Sequence, residues 1–159
     1  MLTRTLAAAA LTLSAVAAPA QPKAPDFTGQ WELNVAKSDF GPMAAQAPTK
    51  ASMTITQNAT TLKFAQAVSS PMGDQSSTQE LTLDGKEQTV NGADGQPATS
   101  SASVAGDTLV LSSKMQRQGM DITAVSRWTL SPDGKLLTID RQLATPMGAL
   151  TMKLVYDKK

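Results

Sequence analysis

The chain contains no cysteine and no histidine among its 159 residues. That removes the Ser-His-Asp and Cys-His nucleophile systems, which need an imidazole or a thiolate. It also removes the usual zinc sites and any disulfide staple, so the fold must be held by packing and strand pairing. Aromatic residues are scarce as well: three Phe, two Trp and one Tyr. Charge of either sign is not in excess. Without Arg4, 13 basic side chains face 13 acidic ones. A balanced surface argues against nucleic acid or an anionic membrane as partner, since both select a basic excess.

The longest apolar run is at the start. Arg4 precedes an apolar stretch over residues 6–18, and Ala18-Pro19-Ala20 offers small residues for cleavage. This reads as a secretory signal peptide over residues 1–20. The run is too short for a bilayer span, which takes about 20 residues. The expected location is periplasmic or secreted, with no stable membrane insertion after cleavage. Residues 21–27 form a short leader, and residues 28–159 form one domain large enough for a real core.

Within that domain the period is two. Trp31, Leu33 and Val35 alternate with Glu32 and Asn34, as in a strand with one buried face. Nine further strands are expected near 51–57, 61–69, 76–83, 87–91, 98–105, 108–115, 121–130, 136–144 and 149–157. Turn-formers separate them: Asn58-Ala59-Thr60, Asp84-Gly85, Asn91-Gly92, Gly106-Asp107 and Pro132-Asp133-Gly134. The longest connection, residues 36–50, contains a candidate helical turn at 36–40 that Gly41-Pro42 and Pro48 should stop. Ten strands with short links imply an all-β, antiparallel up-and-down meander, and closing it into a barrel removes its edges.

The Gly29-x-Trp31 pair early in such a chain resembles the calycins, which include lipocalins, fatty-acid-binding proteins and avidin. Tyr156-Asp157-Lys158 is similar to the Tyr-Glu-Lys ending of fatty-acid-binding proteins. Gly29, Trp31, Leu33, Asn34, then Lys37, Ser38, Phe40, Gly41 and Pro42, resemble small bacterial secreted lipocalin-like proteins, most without an assigned function. The resemblance implies a barrel whose floor is Trp31 with a basic residue packed on it. Lys153 lies on the wrong face of the last strand, so Arg141 is the substitute candidate. It also implies that an inward basic residue binds a ligand carboxylate.

In an up-and-down meander the loop methionines Met43, Met72, Met120 and Met147 fall at one end, with Met115 beside Met120. Flexible, polarizable thioethers suit a portal for apolar ligands. They can equally fold inward and plug the barrel, or hold Cu(I). Ala124 and Ser126, between Ile122 and Trp128, leave interior volume. The candidate ligand-binding set is therefore Arg141, Trp31, Ala124, Ser126, Trp128, Met72, Met147, Met120 and Met43. Arg141 either clamps a carboxylate or pairs within the protein, and Trp128 can be plain core. Asp84, Asp94, Asp107 and Asp133 sit in turns, where Asp caps the backbone, and Glu32, Glu80 and Asp140 face outward. No catalytic pair, metal site or cofactor is expected. The function expected is non-enzymatic binding of a small apolar or amphipathic, fatty-acid-like ligand. The alternative is a protein-interaction or inhibitor module that uses the loops at one end of a filled barrel.

Overall fold

A computed structural model describes residues 25–92 and 95–159. The expected signal peptide, most of the leader, and Asp94 lie outside the described residues. Ten strands are present: β1 (Gly29–Leu33), β2 (Lys50–Gln57), β3 (Thr61–Ser70), β4 (Gly73–Thr82), β5 (Gln88–Asn91), β6 (Pro97–Ala105), β7 (Thr108–Arg117), β8 (Met120–Leu130), β9 (Leu136–Thr145) and β10 (Gly148–Lys158). Every pairing is antiparallel, and the sheet order is β4-β3-β2-β1-β10-β9-β8-β7-β6-β5. Among the described residues, no helix is long and apolar enough to cross a membrane.

β1 joins β10, with Trp31 opposite Lys158 and Leu33 opposite Tyr156, so the chain's two ends are stitched together. Among the described residues closure is incomplete on the other side, where no ladder joins β4 to β5. β5 is only four residues long. Side chains bridge the seam instead. Gln79 Nε2 donates to the Asn91 carbonyl at 3.3 Å, and Gln88 Nε2 to Thr82 Oγ1 at 2.6 Å.

Two expectations fail in the β1–β2 connection. Val35 does not continue the buried face. It opens a 3₁₀ turn (Val35–Lys37) and is 42% exposed, because the Asn34 side chain accepts from the Lys37 N–H and ends the strand. Nor does Gly41-Pro42 stop helical structure. A second 3₁₀ segment runs Gly41–Gln46 with Pro42 in its first turn, where a missing N–H costs nothing.

This connection is tied down onto β10. The Ser38 hydroxyl donates to the Asn34 carbonyl at 2.7 Å and accepts from the Val155 N–H at 2.9 Å. Asp39 and Lys153 exchange two backbone hydrogen bonds of 2.7 Å. Gly41 has φ +50, and a Cβ there would lie 2.6 Å from the Thr151 carbonyl oxygen. Gly41→Ala is therefore expected to cost about 1–3 kcal/mol from backbone strain and the clash, read as a lower midpoint in urea.

Burial is graded along the barrel. Inward residues near the β2–β3, β4–β5, β6–β7 and β8–β9 links are closed off: Leu62, Leu81, Leu109 and Leu137 are at most 1% exposed. Further along the same strands the inward residues become half-buried. Gln66 and Val68 follow Leu62 and Phe64 on β3, and Arg141 and Leu143 follow Leu137 and Ile139 on β9. The barrel is thus filled at one end and hollow toward the other. All six aromatic residues are buried. Trp128 packs edge-on to Phe27 and Phe64, with ring centroids 6.3 and 5.4 Å apart.

Candidate functional site: a half-filled barrel with an enclosed arginine

Trp31 is the floor. It is 1% exposed, and its indole N–H donates to the Phe27 carbonyl at 3.0 Å. The basic residue packed on it is Lys158, whose ammonium lies 5.3 Å from the ring centroid, within cation–π range. The expectation that Arg141 fills this role is corrected. β10 extends to Lys158, one residue beyond the expected end at 157, and that residue carries the cation.

Above the floor lies a cavity of about 510 Å³, a volume ordinary for a small-molecule site. Leu33, Met53, Met152, Leu154 and Tyr156 line it from β1, β2 and β10. Phe64, Leu111, Trp128 and Ile139 form its lower part, and Phe40 reaches it from the β1–β2 connection. Among the described residues no Asp or Glu lines it, and two arginines, Arg117 and Arg141, do.

Arg141 projects inward from β9, opposite Ser126 on β8 and Met152 on β10. Its Nε is buried without a hydrogen-bond partner. Burial lowers the affinity of this guanidinium for its proton, and among the described residues Tyr156 acts on it in the opposite direction. The residue nevertheless stays a cation at neutral pH. An enclosed cation with no carboxylate beside it is costly by itself. Burial pushes the Tyr156 hydroxyl up to about 12, with Arg141 partly opposing the shift. Both groups therefore stand in the cavity as donors at neutral pH.

The Tyr156 shift has a measurable consequence. The hydroxyl's folded value lies above its unfolded value of 10.0. The stability it contributes is intact below pH ~10 and lost as pH rises to about 12, a fall of roughly 3 kcal/mol. Urea melts between pH 9 and 12 should show that fall in the wild type and a smaller one in Tyr156→Phe.

The expected site residues divide. Arg141, Ala124, Ser126 and Trp128 come together on the cavity wall, whereas Trp31 lies beneath it and does not line it. Antiparallel order puts Met43, Met72, Met120 and Met147 at the hollow end, yet none of the four lines the cavity. Met72 and Met147 are 73% and 89% exposed and Met120 37%. They belong to hairpin tips, where side chains follow neither face of the sheet. Two of those tips are built alike. The Ser70 and Thr145 hydroxyls each accept from the methionine N–H, at 3.2 Å, and donate to the following glycine carbonyl, at 3.1 and 2.9 Å. The methionines that line the cavity are Met53, Met115 and Met152, inside strands. Strand alternation marks Met152, with Leu154 and Tyr156, as inward, and that was the available signal for them.

The turn carboxylates act locally. Asp84 accepts from the Thr82 hydroxyl and the Lys86 N–H, which holds its carboxyl at about 2. Asp133 accepts in the same way from the Ser131 hydroxyl and the Lys135 N–H, and these bonds lower its carboxyl's pKa. Among the described residues, no cluster of three or more acidic side chains could hold a metal ion.

Solved structures share this architecture. The zebrafish ileal bile-acid-binding protein complexed with cholic acid matches with a TM-score of 0.60 and 17% identity, over 84% of this chain and 98% of that one. The fold is calycin-like. Echinococcus granulosus fatty-acid-binding protein 1 matches with a TM-score of 0.55 and 13% identity, over 83% of this chain and 96% of that one. An abundant heat-soluble protein from Ramazzottius varieornatus matches at 0.59 and 15%, over 83% and 94%. No family model and no curated protein matches the sequence. The calycin-like assignment therefore rests on the course of the chain.

Proposed function

We propose that the protein is a non-enzymatic carrier, periplasmic or secreted, that holds one small amphipathic anion inside the barrel. The observation that carries this reading is Arg141, an enclosed cation facing a cavity that no described carboxylate lines. A ligand carboxylate there supplies the missing partner and accepts from the guanidinium. The apolar body then covers Leu33, Met53 and Leu154 and removes them from water. Bile-acid and fatty-acid binding by the proteins named above supports the same reading, as does the leader-like sequence around Arg4 and residues 6–18 for the location. The hollow interior weighs against an interaction module with a filled barrel.

The test is thermal unfolding of the full chain with a panel of amphiphiles. A ligand that binds only the folded state at 100 times its Kd adds about 2.7 kcal/mol. Anionic amphiphiles are expected to raise Tm, and uncharged ones of the same length to raise it less. Equal Tm values with and without every class of amphiphile would overturn the reading.

A further inference from the structure

We infer that the cavity selects an anionic amphiphile bearing hydroxyl or amide groups along one side of a compact body, in preference to a plain alkyl-chain acid. This rests on the carrier reading and adds the chemistry of the cargo's body.

Polarity in the lining varies from strand to strand, with Ser113, Arg117 and Ser126 contributed by β7 and β8. Tyr156 aside, β10, β1 and β2 present only apolar side chains. β4 contributes Gln75, Ser76, Ser77 and Gln79, all of them polar, and β3 adds Gln66, directly opposite Ser77 in the ladder. β4 is also the edge of the seam. Among the described residues it pairs with β3 alone.

Most of this polarity is unused by the protein. Gln79 spends its amide on Asn91. Gln66 and Ser77, both half-buried, make no side-chain hydrogen bond within the described residues. The Trp128 N–H, on the lining residue below Ser126, is buried without a partner. An alkyl chain packed against such groups takes away their water and offers nothing in return. A hydroxyl or amide replaces it. Polar groups on one wall and apolar groups on another match a body with two unlike faces. A flexible chain with none satisfies one wall only. Arg141 supplies the third point of contact, for the charge.

Displacement of anilinonaphthalene sulfonate, below micellar concentrations, compares three probes: cholate, the same steroid acid lacking its hydroxyl groups, and palmitate. In the wild type cholate should bind about tenfold or more tighter than the unhydroxylated steroid acid, the worth of one or two satisfied hydrogen bonds. In the Gln66→Leu/Ser77→Ala double variant that ratio should fall to about one or reverse, with palmitate affinity rising. Neither side chain holds the fold through a hydrogen bond, and the single variant Gln75→Leu, at an exposed lining position, repeats the test should the double variant fail to fold. A wild type that prefers the unhydroxylated acid or palmitate overturns the inference and leaves the carrier reading standing. Failure of all three probes to bind removes both.

Discussion

Trp31→Ala is expected to destabilise the protein by about 3–5 kcal/mol. The indole is 1% exposed and closes the filled end of the barrel beside Phe27, Leu62 and Leu137. Its N–H bonds the Phe27 carbonyl, and its face carries Lys158. Alanine leaves a void, strands that carbonyl and removes the platform under the ammonium, in the register where β1 meets β10. A domain of this kind has about 5–15 kcal/mol in total, so the variant should be folded only marginally at room temperature. Guanidinium unfolding followed by far-UV dichroism measures the change. A loss below about 1 kcal/mol would mean that Trp31 is not the floor of the barrel.

Arg141→Leu should act in two opposite directions. Affinity for an anionic amphiphile should fall by about 100-fold or more, because truncating a buried charge partner costs about 2–5 kcal/mol. Folding stability should hold or rise, because the substitution removes an enclosed cation that has no carboxylate beside it among the described residues. An uncharged ligand of the same length should lose little. Isothermal titration and urea melts of one preparation give both numbers. Falling stability with binding intact would make Arg141 a structural residue and would leave the cavity without its recognition point.

How much of this can be read from the sequence depends on the range of the interaction. Alternation is local, so the ten strands can be read from it, with the inward faces of those that carry large apolar residues; β5 and β6, rich in Ser, Thr and Ala, show no such face. The tight links fix which methionines share an end. The resemblance at Lys37, Ser38, Phe40, Gly41 and Pro42 gains a physical cause in the structure: Ser38 and Asp39 fasten the connection to β10, and Gly41 fits against Thr151. Three features depend on distant partners and are illegible locally. The seam between β4 and β5 is a pairing that does not form. Lys158 reaches Trp31 only because β10 runs past residue 157 along β1. Hairpin-tip methionines have no pleat to follow, so sequence assigns their end but not their direction. The polar wall was half legible. Gln79 shares the inward set with Leu81 by alternation, yet Ser and Gln on an edge-like strand read as solvent-facing until the barrel curls around them.

The most direct measurement is native mass spectrometry of the protein purified from its own cell envelope or medium, followed by organic extraction of whatever is bound. The predicted result is one discrete added mass per chain that extracts as an acidic amphiphile, on a polypeptide beginning near residue 21. A bare polypeptide that also takes up no anionic amphiphile when titrated would contradict the account, and the enclosed Arg141 would then need another explanation.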